Sequence, residues 1–249
     1  MIKSKIISAQ RYLKWNYLPQ LNSNIRINEF PRSGGTWLAK MLSDLYQLPF
    51  PQKSLLPIER CIEHTHYRGP FNHKTIVVLR DGRDVMTSAY FHFLMYAPNK
   101  SSSLVEHWRE KISYQENLEA KAQIKSFIQI FSENFKVGGR QTSWSDHAMS
   151  INSSSPVILV VKYEDMLTQC SSVLNNIIHF LEIEPIEDVD TVITKNSFEN
   201  LARRKRGQEK INSFYRKGIA GDWKNYFDEE TLELFMSLHG EAMRYWKYD

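Results

Sequence analysis

Hydrophobic and polar positions along the chain fall into two alternating patterns. Ile25–Glu29 carries isoleucines at alternate positions and predicts a strand. Leu38, Met41, Leu42, Leu45 and Leu48 recur at helical spacing and predict a helix over Leu38–Leu48. Thr75–Leu79 and Val157–Val161 are short, β-branched and apolar throughout, the pattern of strands covered on both faces of a parallel sheet. A helix is predicted after each. Leu104–Phe135 has long helical patterning between two loops, Pro98–Ser103 and Ser150–Pro156. The alternation predicts an α/β fold: a central parallel β-sheet flanked by helices on both faces, in a single domain over 1–249. Sites are expected at the C-terminal ends of the strands. Residues 1–24 are basic and weakly amphipathic, and are expected to form a helical segment packing on that domain.

Composition narrows the function classes. The chain of 249 residues is 42% hydrophobic and 12% aromatic, ample for a core. Thirty-two basic against 28 acidic residues give net +4, which suits an anionic small ligand better than nucleic acid. Cys61 and Cys170 cannot build a framework of bridges and read as reduced thiols in a cytoplasmic protein. No apolar run has the length of a membrane span, and the N-terminus lacks the apolar core of a secretory signal. Arg203–Arg206 is a basic run without the interleaved aromatics of a nucleic-acid surface.

The candidate chemistry starts at Phe30–Trp37, F-P-R-S-G-G-T-W, between the first predicted strand and helix. A helix start leaves backbone N–H groups unpaired and favours negative charge. Gly34 and Gly35 would let the backbone approach a phosphate, Ser33 and Thr36 add hydroxyls, Arg32 adds a planar cation, and Trp37 offers a stacking face. The G-K-[ST] of ATP and GTP enzymes, with its lysine and magnesium-binding hydroxyl, is missing. A plain strand-to-helix turn without a ligand is the alternative.

Further candidates follow in sequence. Arg80 ends the Thr75–Leu79 strand; with Ser88, eight residues on and on the same face, it could grip a second phosphate. Pairing of Arg80 with Asp84 is the structural alternative, and Asp81 and Asp84 could also cap a helix. Tyr163, in K-Y-E-D after the next strand, could border a base or ribose. Arg216 and Lys217, interleaved with Gly218, Gly221 and Trp223, could close over a phosphate. His64-Thr65-His66 reads as a loop, without an acidic or cysteine partner at ligand spacing, so no metal is expected there.

Together these pieces resemble the sulfotransferases that use 3′-phosphoadenosine-5′-phosphosulfate (PAPS), particularly the soluble type. F-P-R-S-G-G-T-W is similar to that family's Y-P-K-S-G-T-T-W loop. V-V-L-R-D-G-R-D-V-M-T-S-A-Y-F-H-F is similar to its 3′-phosphate strand and helix, and K-Y-E-D-M to its tyrosine-bearing strand end. R-K-G-I-A-G-D-W-K-N-Y-F matches R-K-G-x-x-G-D-W-K-x-x-F. The resemblance implies that Arg32, Ser33, Gly34, Gly35, Thr36 and Trp37 hold the donor's 5′ end, with Trp37 against the adenine. Arg80 and Ser88 would bind the 3′-phosphate, Tyr163 the adenosine, Ser197 and Phe198 the base, and Arg216, Lys217 and Gly218 would close over the 3′-phosphate. His66 matches the general-base histidine of the family's K-T-H. Trp144 and His147 resemble its W-x-x-H.

Departures from the family pattern are visible. Arg32 and His64 stand where lysines are usual, so His64 enters the catalytic set as a titrating replacement. The segment from His66 to Arg80 is short. The dimer motif K-x-x-x-T-V-x-x-x-E survives only as Lys224 and Glu233, with Asp228 and Glu229 at its centre, leaving monomer and homodimer both open. The resemblance implies in-line sulfuryl transfer without metal, PAPS as donor and 3′-phosphoadenosine-5′-phosphate (PAP) as product. The acceptor would be a small molecule bearing a hydroxyl or amine. Composition and length look microbial and suggest secondary metabolism. The alternatives are a P-loop-type small-metabolite kinase and a non-catalytic nucleotide-binding homologue.

Overall fold

The computed structural model describes residues 6–7, 9–11, 13, 24–52, 60–96 and 103–248. Along the chain run β1 (Ile25–Glu29), α1 (Gly35–Leu45), β2 (Ile62–Thr65), β3 (Thr75–Leu79), α2 (Gly82–Met95), α3 (Ser103–Lys111) and α4 (Ala120–Asn134). Then come β4 (Lys136–Val137), β5 (Arg140–Gln141), α5 (Trp144–Met149), β6 (Ile158–Lys162), α6 (Tyr163–Thr168), α7 (Cys170–Leu181) and α8 (Val189–Lys195). The chain ends with α9 (Phe198–Ala202), a 3-10 turn at Asp222–Asn225 and α10 (Glu229–Tyr245). Two compact units result, each assembled from separate stretches. The first holds Met1–Leu79, Val137–Arg140 and Ser150–Ser197; the second holds Arg80–Lys136, Gln141–Met149 and Phe198–Asp249.

The first unit is built on a four-stranded parallel sheet in the order β2-β1-β3-β6. Ile27 lies opposite His64 on one side and Ile76 on the other, and Leu79 lies opposite Lys162. β1 and β3 are buried at every position: β3 by its continuous apolar run, β1 although Arg26, Asn28 and Glu29 alternate with or follow its isoleucines. From β1 the strand order runs out in both directions, so the loop after β1 sits at a topological switch point, where α/β sheets bind ligands. Leu38, Met41, Leu42 and Leu45 of α1 pack with Ile25, Ile27, Ile62 and Ile76 of the sheet. Full burial of such side chains stabilises by about 1.5–3 kcal/mol each.

Several predicted boundaries move, for local reasons. α1 starts at Gly35, before the apolar run, because Trp37 and Leu38 N–H both return to Gly34 O. It ends at Leu45, where Gln47 turns left-handed (φ 49°) and the Ser43 hydroxyl donates to Leu48 O at 2.6 Å. β6 is displaced by one residue, to Ile158–Lys162. β2 was not predicted at all: it carries His64 and Thr65, which were expected in a loop. The N-terminal helical segment expected over 1–24 lies largely outside the described residues. Its described positions among 6–13 are helical, and the Arg11 guanidinium donates to Pro51 O. Most of the predicted loop Pro98–Ser103 also lies outside them.

In the second unit, the helical run predicted over Leu104–Phe135 is two helices. Gln123 of α4 stitches the break: its amide accepts from Gln115 N at 2.8 Å and donates to Gln115 O and Leu118 O, both at 3.0 Å. Phe127, Phe131 and Phe135 stack at one-turn spacing, with centroids 4.9 and 4.6 Å apart, and Trp108 lies 4.9 Å from Phe131. Trp144 and His147 are buried structural residues of α5. Asp228, in the centre of the degraded dimer motif, caps α10 by accepting from Thr231 N at 2.9 Å. Among the described residues no helix is long and apolar enough to cross a membrane.

Candidate functional site

The loop after β1 is a tight strand-to-helix turn whose backbone is forced. Arg32 has φ 78° and Gly34 φ 107°, both left-handed. For the arginine this costs on the order of 1 kcal/mol, a penalty that clusters at binding sites. Gly34 has a second reason to be glycine: a Cβ there would stand 2.6 Å from the Tyr163 ring. Ser33 is buried, and its Oγ has no hydrogen-bond partner among the described residues. An orphaned buried hydroxyl in such a turn points to a ligand. Thr36 stands in the first turn of α1.

Gly35 does something other than approach a phosphate. A Cβ there would lie 2.7 Å from Glu29 Cδ and 2.8 Å from His64 Nε2. The carboxylate of Glu29 accepts from Gly35 N at 2.5 Å, supplying the cap that Gly34 cannot. Glu29 Oε1 meets His64 Nε2 at 3.0 Å, and the Glu29 main-chain oxygen meets His66 Nδ1 at 3.1 Å. The two imidazoles lie edge to face, with centroids 4.9 Å apart. Parallel pairing of β1 with β2 brings these three residues together. The acidic partner absent from the sequence around the histidines is therefore present in space.

Burial alone pushes the Glu29 carboxyl up, but hydrogen bonding from His64 and the charge of both imidazoles outweigh it, holding the group below the ordinary carboxylate range. His66 is pushed down to about 4, mainly by burial and further by His64, against the pull of Glu29. His66 is therefore neutral at pH 7. Its Nδ1, facing a carbonyl, carries the proton, so Nε2 keeps its lone pair.

Trp37 and Tyr163 brace the loop. Trp37 Nε1 donates to Asn196 O at 2.8 Å, and its ring meets Tyr163 edge-on at 6.0 Å. Tyr163 is the buried first residue of α6, packed against Gly34, whereas it was expected at a strand end. Ser197 follows α8 at the end of the first unit.

The second unit gathers the remaining candidates. Arg80 is buried, donates to Ile219 O at 3.1 Å and lies 3.7 Å from Asp84. Asp84 in turn accepts from Gly221 N at 2.7 Å and Trp223 N at 3.0 Å, pinning the glycine–tryptophan loop to α2. Asp81 caps α2 by accepting from Arg83 N at 2.9 Å. Ser88 is buried on α2. Arg216 pairs with Asp222 and Glu209 and stacks over Phe91, 4.3 Å from its centroid. Lys217 Nζ lies 2.6 Å from Asp222. Burial works against the charge of Arg216, but Asp222 and its neighbours outweigh that and raise it above its ordinary value. Gly218 lies flush against the ring of Phe198.

Sequence reasoning passed over Glu29, Asp222 and Glu209. Glu29 had one visible signal, an ionisable residue ending an otherwise strand-like run directly before the loop. Arg83, bonded to Asp81 and Tyr248 O and 4.2 Å over the Trp223 ring, had none.

Comparison with known proteins adds the family. The profile described as Sulfotransferase domain matches residues 70–247, downstream of the loop at 30–37. Sulfotransferase 1E1 of Cavia porcellus is 30% identical over 184 residues, 69% of this chain and 55% of its own length. The human protein of that name is 29% identical over 186 residues, with the same shares. The chain thus spans about half the length of these curated relatives. Among solved structures, mouse sulfotransferase SULT7A1 complexed with PAP superposes with a TM-score of 0.67 at 20% identity, covering 98% of this chain and 90% of that one. Retinol dehydratase in complex with androsterone and inactive cofactor PAP gives 0.62 at 16% identity, covering 96% and 85%. These likenesses agree on a parallel sheet flanked by helices, and the profile match settles the rest: this chain belongs to the sulfotransferase domain family.

Proposed function

We propose that this chain, acting as a single sulfotransferase domain over 1–249, transfers a sulfuryl group from PAPS to a hydroxyl or amine of a small-molecule acceptor. The observation that carries the reading is the strained loop after β1, where Arg32 and Gly34 are left-handed and the buried Ser33 Oγ has no partner among the described residues. Family membership and the PAP bound in two structural neighbours support the donor's identity.

In this reading Arg32, Ser33, Gly34, Gly35, Thr36 and Trp37 serve the donor's 5′ end. As the sulfur–oxygen bond breaks, charge builds on the phosphate oxygen, and Arg32 with the loop stabilises it. Neutral His66 accepts the acceptor's proton at Nε2, its Nδ1–H held by Glu29 O. His64 stands beside the transfer point as a cation when protonated. Arg80, Ser88, Arg216, Lys217 and Gly218 serve the 3′-phosphate, and Tyr163, Ser197 and Phe198 the adenosine. PAP leaves as product, and no step requires a metal. Cys61 and Cys170, neither in a disulfide, suit a cytoplasmic setting.

One observation favours a second reading, a homologue without turnover: the Glu29 carboxylate already takes the Gly35 N–H at the head of α1. Calorimetry separates the two. PAP is expected to bind far more tightly than ATP, which lacks the 3′-phosphate, and Arg80→Ala is expected to raise the PAP dissociation constant roughly ten- to a hundredfold. Transfer from labelled PAPS is expected to continue in excess EDTA. Equal affinity for PAP and ATP would overturn the donor assignment. PAP binding without transfer to any alcohol, phenol or amine would favour the homologue.

A further inference from the structure

Glu29, His64 and His66 each offer one ligand atom, and the three atoms lie within 4.8 Å of one another. Two histidines and one glutamate are a donor set suited to zinc, with a fourth tetrahedral position left for water or another ligand. Bonds of about 2.0–2.2 Å place neighbouring ligand atoms roughly 3.3 Å apart. The Glu29–His64 pair is already at 3.0 Å, and the His66 ligand atom lies within 4.8 Å of both.

What distinguishes this cluster from a chance grouping is how its ligands are held from behind. Ligating histidines usually donate their second ring N–H to a carbonyl or carboxylate, and ligating carboxylates are themselves hydrogen-bonded. Both features are present. His66 Nδ1 meets Glu29 O, which leaves Nε2 as its ligand atom. Glu29 Oε2 accepts from Gly35 N, which leaves Oε1 as its own. The Phe50 ring, 6.1 Å from His64, supplies an apolar wall. Glu29 has 4% of its side chain exposed and His64 11%, so the ligands are shielded, while partly exposed His66 gives an ion a way in. Gly35 leaves room for both Glu29 and His64.

We infer that Glu29, His64 and His66 form a site for a divalent transition-metal ion, zinc above all. Occupying it takes the Nε2 lone pair of His66; resting on the proposed function, it therefore switches sulfuryl transfer off. The ion is an inhibitor of the reaction and takes no part in it.

The test uses the full chain, stripped with EDTA and dialysed. Zinc chloride titrated against it in a calorimeter is expected to bind one to one. Zinc is also expected to raise the thermal midpoint, because it binds the folded state. Cobalt(II) is expected to give the visible bands of a tetrahedral site without thiolate charge transfer. Glu29→Gln, His64→Ala and His66→Ala are each expected to weaken zinc at least about tenfold. His179→Ala, at an exposed histidine of α7, is expected to change nothing. Circular dichroism selects the variants that fold; one folded variant with undiminished zinc affinity overturns the assignment. So does the absence of one-to-one binding, or cobalt–thiolate absorption pointing to Cys61 or Cys170. Binding is read without turnover, so a chain that holds zinc but never transfers a sulfuryl group sinks the proposed function and leaves this site standing. In an active enzyme, zinc is expected to inhibit and EDTA to restore the rate; inhibition that persists in His64→Ala would overturn the switch.

Discussion

The loop after β1 and the basic cluster around Arg216 offer two different ways of preparing for an anion. The loop relies on backbone: two left-handed residues, a helix start and an orphaned hydroxyl, with one carboxylate in attendance. The Arg216 cluster relies on side chains, and those are already matched by acids: Arg216 by Asp222 and Glu209, Lys217 by Asp222. A backbone cradle is set by the fold and stores its strain whether or not a ligand arrives. A cation cluster this buried would be too costly without its own counter-ions, so any ligand must compete with them. Loss of turnover is expected from the first region when its imidazole is removed, and loss of stability from the second when charge balance is removed.

The largest expected effect lies in the first region. His66→Ala should lower the transfer rate by ~10²–10⁴-fold while leaving PAP affinity close to wild type, because in the proposed reaction the imidazole acts on the acceptor proton. His64→Ala should cost less. Rates and PAP affinities measured separately decide the point. A near-normal His66→Ala beside an inactive His64→Ala would move the base to His64.

Next in size is the charge balance of the second region. Asp222→Ala takes the carboxylate from Lys217 and leaves Arg216 with Glu209, and should destabilise the fold by up to about 3–5 kcal/mol, the usual cost of breaking a buried pair from one side. Asp222→Asn keeps hydrogen-bond acceptance and should cost less. Urea unfolding followed by tryptophan fluorescence measures both. Wild-type stability in Asp222→Ala would mean that the cluster is held open by solvent rather than matched internally.

The two regions were unequally legible in the sequence. Thr75–Leu79 was read with correct bounds because a strand covered on both faces leaves an uninterrupted apolar run, and Ile25–Glu29 because its isoleucines alternate. β2 escaped because its sequence, Ile62–Thr65, holds Glu63 and His64, whose burial is made tolerable only by Arg26 and Glu29 on the next strand. Such pairing is a property of strand register, which no local pattern displays. The loop was legible as a tight strand-to-helix turn because glycines and a following helix have local signatures. The presence of Glu29 inside it was not, since a carboxylate six residues before Gly35 reaches back only after the turn has formed. Arg216 and Lys217 stood out as cations among glycines, yet their neutralisation by Asp222 and Glu209 needed the fold of the loop.

The smallest expected effect is a pH dependence that each unit carries in one histidine. His66 in the first unit and His239 in the second are both pushed down to about 4, chiefly by burial. His239 is enclosed between the hydroxyls of Ser132 and Ser145. An imidazole with a depressed folded value binds its proton more readily in the unfolded chain, whose ordinary value is about 6.5. Its contribution is therefore fully present above about pH 6.5 and is lost as the pH falls towards 4. At pH 5 each should account for on the order of 1–2 kcal/mol of lost stability. His66→Gln, which keeps a donor for Glu29 O, and His239→Gln, which can still meet one serine, should each flatten the curve of unfolding free energy between pH 6.5 and 4. Urea titrations at half-unit pH intervals test this. A wild-type curve already flat across that window would refute burial as the cause in both units. A variant curve parallel to wild type would refute it for that histidine alone, and the two units would then differ in how far solvent reaches their buried imidazoles.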